Sequence, residues 1–343
     1  MSPPGDRARA VRRDSAAGTA ADGSRPPIEA EELARGVLSG EKPQIIGLFN
    51  LIEDRRPAPA RRAAACLDAL FAASIERGHT VGLTGPPGVG KSSLLGRLLK
   101  LLRQQGRRVG VIAVDPSSRL SQGALLGDRL RLDHEASDAG VFVRSMANRG
   151  EFGGVAEHTF AGVVLLRSAF DVAVVETVGV GQTEADVAAL VDTTVLVLQP
   201  GAGDVIQFIK AGIMEEPDVI VVNKADLGEA ARRTLHDLRA ALACLPDEGP
   251  DLLLASARTG QGLEELAETL DRRQAELRQT DRLLQLRREQ AAGWIVRRVQ
   301  AEYGRHGIQA LGGAEAIGRR LGAGPAPYAV LKTLLAELET QIP

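Results

Sequence analysis

The stretch Gly85-Pro-Pro-Gly-Val-Gly-Lys-Ser92 decides how the rest of the chain is interpreted. It fits the pattern G-x-x-x-x-G-K-[ST] and stands between an apolar, strand-like segment at 80–84 and a helix-like segment at 93–102. In that setting, glycines let successive backbone N–H groups point at phosphate oxygens beside a helix N-terminus. The sequence therefore predicts a phosphate-binding loop made of Gly85, Pro86, Pro87, Gly88, Val89, Gly90, Lys91, Ser92 and Ser93.

Outward from this loop, strand-like and helix-like segments alternate between about residues 79 and 270. Buried β-branched runs that alternate with amphipathic helices are typical of a parallel sheet covered on both faces. We predict an α/β fold, a P-loop NTPase with a mainly parallel central sheet and helical extensions on both sides. The predicted strands lie at 80–84, 109–114, 141–143, 172–175, 194–198, 219–222 and 252–255.

The helical extensions define the rest of the domain plan. Residues 1–28 are rich in Pro, Gly, Ser, Ala and Arg and are predicted to be a disordered tail. Period-3.6 apolar spacing predicts a helical region over 29–78, with a break at Pro57 and Pro59, ahead of a nucleotide domain over 79–272. The remainder, 273–343, reads as long helices at 273–304 and 326–340, with an apolar stripe at Leu284, Ile295, Val299 and Tyr303.

Composition excludes several classes of protein. The 343-residue chain has a formal net charge of −2, which does not indicate a nucleic-acid-binding surface. No apolar run is long enough to span a bilayer, and the basic N-terminus lacks the apolar core of a secretory signal. Two distant cysteines, Cys66 and Cys244, argue for a reducing compartment. We therefore expect a cytoplasmic protein with neither nucleic-acid nor membrane partners.

The nucleotide base is expected to be recognised at Asn223-Lys-Ala-Asp226, which follows the predicted strand at 219–222. A carboxylate at Asp226 can accept both the N1–H and N2–H of guanine, whereas adenine does not offer that pair of donors. Asn223 can bond the purine edge, and the aliphatic stem of Lys224 can cover its face. Ser256 and Ala257 end a later strand, and the Ala257 N–H is expected to meet guanine O6. The order of these segments predicts GTP and GDP as ligands.

Acidic residues at strand ends predict the metal site and the hydrolytic centre. Lys91 is expected to reach the β- and γ-phosphates, and the Ser92 hydroxyl to ligate Mg²⁺. Glu176 ends a buried strand and is expected to support the ion through water, while the Gly179 N–H approaches the γ-phosphate. Val180 stands where Ras-type GTPases keep a water-orienting glutamine. We expect intrinsic GTP hydrolysis to be slow and to be stimulated by a partner.

Two further carboxylates are candidates for the same site. Asp115 ends a strand and precedes Pro116, which fixes the chain so that the carboxylate can face the metal or a phosphate-bound water. Asp128 lies in a Gly-Asp turn, for which a plain surface role is an equal alternative. The expected catalytic residues are Lys91, Asp115, Glu176 and Gly179, and the expected metal-site residues are Ser92, Asp115, Asp128 and Glu176.

Taken in order, the motifs resemble the MeaB/ArgK family of SIMIBI-class P-loop GTPases, which includes the human methylmalonic aciduria type A protein. The resemblance covers about residues 30–300. It rests on GPPGVGKSS (85–93), AVDPSS (113–118), LLGDR (125–129), RGEFGG (149–154), VETVGVGQ (175–182), PGAGD (200–204) and NKAD (223–226).

The resemblance implies a GTP-dependent chaperone of an adenosylcobalamin-dependent acyl-CoA mutase, mainly methylmalonyl-CoA mutase. Such a protein gates cofactor loading and protects the mutase. The resemblance also implies a homodimer formed by the C-terminal helices, and a partner-facing switch at Asp204, Gln207 and Lys210. On spacing alone, those three residues would be one exposed helix face. Trp294, the one tryptophan, is either an interface anchor or a core residue.

Two alternatives remain open from the sequence. A metallochaperone-type GTPase of the same class would need clustered histidines or cysteines, and the five histidines here are scattered. A transport-associated ATPase or GTPase is disfavoured, in its ATP-using form, by the guanine-reading segment at Asn223 to Asp226.

Overall fold

The computed structural model of the chain describes residues 29–54, 56–116, 138–148, 157–177, 187–201, 217–243, 249–322, 324 and 326–341. Its centre is a 7-stranded sheet with strand order β3-β2-β4-β1-β5-β6-β7, in which every neighbouring pair is parallel. The strands are β1 His79–Thr84, β2 Val109–Pro116, β3 Val141–Asn148, β4 Val172–Thr177, β5 Thr193–Leu198, β6 Val219–Val222 and β7 Asp251–Leu254. The predicted α/β fold and its strands are confirmed.

Ten α-helices are described in this part of the chain. They are α1 Ala30–Leu38, α2 Lys42–Glu53, α3 Pro57–Ser74, α4 Lys91–Gln104, α5 Glu157–Ala169, α6 Glu229–Leu242, α7 Leu263–Gln279, α8 Arg282–Ala310, α9 Ala314–Leu321 and α10 Pro327–Gln341. A short 3-10 turn spans Ala225–Leu227.

The sheet has a separate apolar core on each face because successive side chains of a strand point to opposite sides. In β2, Val109 and Val111 pack on one face with helices α4 and α7, while Ile112 and Val114 pack on the other. That second face is covered by α5 and by residues of both helical extensions, which share a single core. Beyond β5, helix α6 covers a smaller apolar cluster. The nucleotide-domain sheet and the two extensions are therefore packed together.

The prolines predicted to interrupt the N-terminal helices instead begin one. Helix α2 ends at Glu53, and α3 starts with Pro57, with Pro59 still in its first turn. The first N–H groups of a helix have no intrahelical acceptor, so a proline there removes no hydrogen bond. The predicted break exists, but it lies before Pro57.

The single long helix expected over 273–304 is wrong. Helix α7 ends at Gln279 and α8 begins at Arg282, because Asp281 adopts a left-handed conformation with φ 54°. Helix α8 also contains a non-helical residue, Gly304. The domain boundaries at 28, 78 and 272 stay a prediction, and α7 runs through residue 272.

Trp294 packs inside its own chain. Its ring stacks on Phe160 of α5, with centroids 4.7 Å apart, and contacts Tyr328 of α10 at 4.6 Å. Ile295 and Val299, two members of the predicted stripe, are fully buried in the same core. The core alternative for Trp294 is therefore the observed one, and these three side chains are not available to an interface.

A buried ion pair joins helix α8 to the amino end of the sheet. Arg287 Nε and Nη2 donate to the Asp192 carboxylate at 2.8 and 2.6 Å, and both side chains are completely inaccessible to solvent. The same guanidinium donates to the carbonyls of Ile75, Arg77 and Gly78, where the chain passes from α3 to β1. One side chain thus ties the C-terminal helices to the start of the sheet.

Candidate nucleotide-binding site

The predicted site residues within the described part of the chain meet at the carboxyl edge of the sheet. The loop 85–90 leaves β1, Glu176 lies near the end of β4, and Asn223 and Ser256 follow β6 and β7. Ligands of parallel α/β sheets bind at this edge, where loops leave the strands. The topology therefore brings the phosphate-loop and base-reading segments together, although about 130 residues separate them in sequence.

Glycine is required in the loop because the backbone passes very close to neighbouring strands. Gly85 has φ 137°, and a β-carbon there would lie 2.2 Å from the Val197 carbonyl oxygen of β5. Gly90 has φ 94°, and a β-carbon there would lie 2.7 Å from Asn223 Nδ2. A larger residue at either position would push the loop off the sheet. The spacing of the motif is thus fixed by contacts with β5 and with the residue after β6.

Lys91 starts helix α4 and folds back over the loop. It is 6% exposed, and its Nζ donates to the carbonyl oxygens of Gly85 and Pro86 at 2.6 and 2.9 Å. These bonds hold a cationic group inside the curl of the loop, next to the N-terminus of a helix. Both features favour a bound anion. Ser93, the last residue of the predicted loop, is exposed on the first turn of α4.

Ser92 and Glu176 form a pair of oxygen ligands beside the loop. The Ser92 hydroxyl donates to Glu176 Oε1 at 2.5 Å, and Glu176 is 7% exposed. In the described part of the chain, the buried hydroxyls of the last β1 and β4 residues, Thr84 and Thr177, have no hydrogen-bond partner. An all-oxygen set of this kind suits Mg²⁺, which prefers one or two protein oxygens and retains water. The residues present therefore fit the expected ion.

Several predicted site residues lie wholly or partly outside the described structure. The backbone of Asp115 continues β2, opposite Ala147 of β3, and its side chain is not described. Asp128, Gly179, Asp204, Gln207 and Lys210 lie outside the described residues. Their roles at the site stay predictions.

Asn223 joins the phosphate loop to the base-reading loop. It is 1% exposed, and its Nδ2 donates to the Val89 carbonyl at 2.8 Å, while its Oδ1 accepts from the Ala257 N–H at 3.2 Å. One amide therefore uses both of its ends to hold two loops. Asn223 thus links the loop at 85–90 to the loop after β7, and its contact with the purine edge stays a prediction.

The Asp226 carboxylate is positioned by two neighbouring side chains, which keep it able to accept hydrogen bonds. Ser256, which is fully buried, donates its hydroxyl to Asp226 Oδ1 at 2.6 Å, and Arg258 Nη1 lies 3.5 Å from Oδ2. The hydrogen bond from Ser256 and, more weakly, the charge of Arg258 lower the pKa of Asp226 below its ordinary value. The carboxylate is therefore ionised at neutral pH, which the recognition of two N–H donors requires.

Lys224 lies over the loop, as expected of a side chain that covers the base. Its backbone is left-handed with φ 60°, and its Nζ donates to the Gly88 carbonyl at 3.2 Å and to Gln199 Oε1. Gln199 was missed by sequence reasoning. Its signal was available: it is a polar residue directly after a buried strand, at the edge where the other site residues gather. A second missed residue, Arg97 of α4, bonds the 257–258 backbone and carried no such signal.

Two features are absent from the described residues. No helix there is both long and apolar enough to cross a lipid bilayer. No group of three or more His, Cys, Asp or Glu side chains is placed to hold a metal ion there.

Comparison with known proteins relates the chain to a family of GTPases. The family model described as methylmalonyl-CoA mutase-associated GTPase MeaB matches residues 46–310. The chain is 34% identical to the GTPase ArgK of Escherichia coli over 284 residues, covering 80% of this chain and 85% of that one. It is also 34% identical over 286 residues to the mitochondrial methylmalonic aciduria type A homolog of Mus musculus, covering 79% and 69%.

A solved structure has the same fold as this chain. A crystal structure described as a LAO/AO transport system kinase superposes with a TM-score of 0.62 at 27% identity, covering 90% of this chain and 97% of that one. The family match spans most of the chain and includes the loop 85–90, the Ser92–Glu176 pair and the segments around Asp226 and Ser256. The chain therefore belongs to the MeaB family of P-loop GTPases.

Proposed function

We propose that this GTPase acts as a nucleotide-controlled chaperone of an adenosylcobalamin-dependent acyl-CoA mutase, with methylmalonyl-CoA mutase as its first candidate partner. It gates the loading of the cofactor and protects the mutase from inactivation. The family description supports the mutase association. A relative in the mouse is named as a methylmalonic aciduria type A homolog, and that name supports the choice of methylmalonyl-CoA mutase.

The observation that carries the nucleotide half of the proposal is the joining of two centres by Asn223. The phosphate loop, with Lys91 and the Ser92–Glu176 pair, contacts the Asn223 amide directly, and the same amide contacts the loop after β7. Because one amide bonds both loops, the phosphate end and the base end of the proposed site are positioned relative to each other. This arrangement supports a site built for an intact guanine nucleotide.

The proposed roles follow from the chemistry of each side chain. Lys91 would bind the β- and γ-phosphates, and Ser92 and Glu176 would hold Mg²⁺ and its water. When bound, Mg²⁺ neutralises charge on the phosphate oxygens. Asp226 accepts from guanine N1–H and N2–H, the Ala257 N–H donates to O6, and Lys224 covers the base. Asp115, Asp128 and Gly179 are proposed to complete the hydrolytic centre.

We also propose three features of this protein's behaviour. Val180, in place of a water-orienting glutamine, supports slow intrinsic hydrolysis that a partner accelerates. Asp204, Gln207 and Lys210 are proposed to contact that partner. We propose a cytoplasmic homodimer whose interface uses surfaces of the C-terminal helices other than the buried Trp294, Ile295 and Val299.

Nucleotide specificity tests the base-reading half of the proposal. With the purified full chain and Mg²⁺, we expect GDP and GTP to bind at least about a hundredfold more tightly than ADP and ATP, because adenine leaves Asp226 and the Ala257 N–H unpaired. Equilibrium titration with fluorescent guanine and adenine nucleotides measures this difference. Equal affinity for both bases would remove the guanine-reading role from Asn223 to Asp226.

Nucleotide-dependent binding to a mutase tests the chaperone half. We expect methylmalonyl-CoA mutase to bind the full chain with different affinities in the presence of a non-hydrolysable GTP analogue, GDP and no nucleotide. Size-exclusion chromatography and calorimetry measure the complex, and the mutase should raise the GTPase rate.

Two variants provide controls for that experiment. Lys91→Ala should lose triphosphate binding and with it the nucleotide dependence, whereas Lys332→Ala, on the exposed face of α10, should behave as the wild type. Complex formation that ignores the nucleotide, or no complex with any acyl-CoA mutase tested, would overturn the chaperone proposal while leaving the GTPase activity intact.

A further inference from the structure

The loop after β7 is the part of the proposed guanine site that lacks sheet support. Its first residue, Ala255, still bonds to β6, and Ser256 closes a turn by accepting from Gly260 and donating to Gln261 at 2.9 Å each. Beyond this turn, the Ala257 N–H bonds Asn223 Oδ1. What the carbonyl oxygens of Ala257 and Arg258 contact also helps to determine where that N–H lies.

Arg97 supplies that contact from helix α4. Its Nε donates to the Ala257 carbonyl at 3.0 Å, and its Nη2 donates to the Arg258 carbonyl at 3.1 Å. The two acceptors are consecutive in the chain but lie 160 and 161 residues from Arg97. The guanidinium fork is planar and presents these two N–H groups in parallel, so it fixes the direction of both carbonyls at once.

Arg97 lies on the helix that follows the phosphate loop, so its contact connects that loop to the loop after β7. Helix α4 begins at Lys91, and its N-terminus lies at the phosphate loop. Arg97 is six residues further along, so the same rigid helix that meets the phosphates also grips the loop that meets the base. The distance between the two ends of the nucleotide site is thus set on the open side by Arg97, while Asn223 sets it on the buried side.

We propose that Arg97 is a positioning residue for guanine recognition: it holds the 257–258 backbone so that the Ala257 N–H donates to the guanine O6. The inference rests on the proposed guanine site. In the described structure the Ala257 N–H bonds Asn223 Oδ1 at 3.2 Å, at the long end of the hydrogen-bond range, so an O6 acceptor can compete for it. Arg97 has no contact with the nucleotide in this scheme and acts through the loop.

A purely structural role for Arg97 makes a different prediction. If Arg97 only stabilised the fold, its loss would weaken the binding of all nucleotides equally or lower the melting temperature. If Arg97 directs the Ala257 N–H at guanine O6, its loss should weaken the binding only of nucleotides that have this oxygen acceptor. A nucleotide whose O6 is replaced by sulfur, a much weaker acceptor, separates the two cases.

The experiment compares GDP with 6-thio-GDP on the full chain. The variants are Arg97→Met, which keeps the aliphatic stem, Arg97→Lys, which can reach one carbonyl but not both, and Gln104→Ala, an exposed α4 position, as the matched control. For Arg97→Met we expect GDP affinity to fall about 3- to 10-fold, the effect of one or two lost hydrogen bonds, with 6-thio-GDP affinity nearly unchanged. Arg97→Lys should lie between wild type and Arg97→Met, and the melting temperature should match that of Gln104→Ala.

The outcomes distinguish this inference from the proposed function. If the wild type prefers GDP over ADP but Arg97→Met binds GDP and 6-thio-GDP like Gln104→Ala, the positioning role is overturned and the guanine site stands. Equal losses for both nucleotides in Arg97→Met would also overturn it, in favour of a structural role. If the wild type does not prefer GDP over ADP, the guanine site itself fails.

Discussion

His79 opens strand β1 at the amino end of the sheet, far from the nucleotide loop. Its Nε2 lies 2.9 Å from the Thr193 hydroxyl, and the residue is 2% exposed. Burial lowers its pKa from 6.5 to about 4, against the attraction of Asp192 and with the repulsion of Arg287. The imidazole is therefore neutral in the folded protein throughout the physiological range.

This burial predicts an acid-sensitive stability. Because the unfolded chain takes up the His79 proton near pH 6.5 and the folded chain only near pH 4, the contribution is present above pH 6.5 and is lost as the pH falls toward 4. We expect the wild type to lose about 2–3 kcal/mol of unfolding free energy across this window through His79. Chemical denaturation at several pH values measures the slope.

His79→Gln is the informative variant, because glutamine keeps a group that can bond Thr193 and does not titrate. Its stability should be flatter than that of the wild type between pH 6.5 and 4.5. His236→Gln, at an exposed position of α6, should leave the slope unchanged. A His79→Gln slope as steep as the wild type would show that other groups cause the acid sensitivity.

Sequence reasoning predicts the candidate-site residues whose chemistry is tied to a motif, and it misses those that contact the backbone of others. Motif order and strand ends mark six of them, which the structure brings to one edge of the sheet: Lys91, Ser92, Glu176, Asn223, Asp226 and Ser256. Arg97 was missed because an exposed arginine on a helix is usually a solvated charge, and only the fold brings the 257–258 carbonyls to it. Asn223 is predicted from its motif as a base-reading residue, and the structure adds that its amide bonds two loops.

At the scale of the elements, the connection between α7 and α8 depends on one unusual residue. Asp281 is exposed and has φ 54°, the left-handed region that costs a β-carbon-bearing residue about 1–2 kcal/mol. The break at Asp281 is followed by helix α8, whose Arg287 forms the buried ion pair with Asp192, and this pair offsets the cost. Aspartate is among the few non-glycine residues that tolerate this conformation.

Two substitutions test this connection. Asp281→Gly should raise the unfolding free energy by up to about 1 kcal/mol, since glycine adopts the left-handed region without a β-carbon clash. Asp281→Val should lower it by about 2 kcal/mol. Glu268→Val, at an exposed right-handed position of α7, is the control for valine in a helix. If both valine variants lose the same amount, the backbone conformation at 281 does not matter to stability.

The same connection explains why strands were predicted better than helices. The runs at 172–175 and 219–222 are continuous, apolar and β-branched, and buried parallel strands leave little choice about where they lie. Between α7 and α8 there is no glycine or proline, so residues 273–304 kept a helical pattern through the break. The turn is fixed by tertiary packing, which a local pattern does not contain.

At the scale of the whole molecule, the Arg287–Asp192 pair connects the C-terminal helices, the N-terminal helices and the sheet. Burial alone would raise the pKa of Asp192, but the charge and hydrogen bonds of Arg287 lower it to about 2. With the carbonyls between residues 75 and 78, the guanidinium has all of its donors directed at acceptors. Arg287 is one of several arginines in helix α8, and nothing in the local sequence predicts that this one is buried.

Removing one partner should therefore be costly. We expect Arg287→Met to lower the unfolding free energy by about 3–5 kcal/mol, because it leaves the Asp192 carboxylate buried without its counter-ion. The double variant Arg287→Met, Asp192→Asn should recover part of this loss. Denaturant unfolding followed by circular dichroism measures both.

The neighbouring arginine provides the control. Arg288→Met, one residue along the helix and partly exposed, should change stability by less than about 0.5 kcal/mol. A loss below about 1 kcal/mol for Arg287→Met would mean that the three parts of the molecule do not depend on this pair.

The packing of Trp294 between Phe160 and Tyr328 has a spectroscopic consequence. Because it is the chain's one tryptophan and it sits where α5, α8 and α10 meet, its indole emission arises from a single place. The ring is 6% exposed, and its emission should move to longer wavelength when water reaches it. The molecule thus carries an intrinsic optical reporter for separation of its helical extensions from the sheet, and this reporter needs no added label.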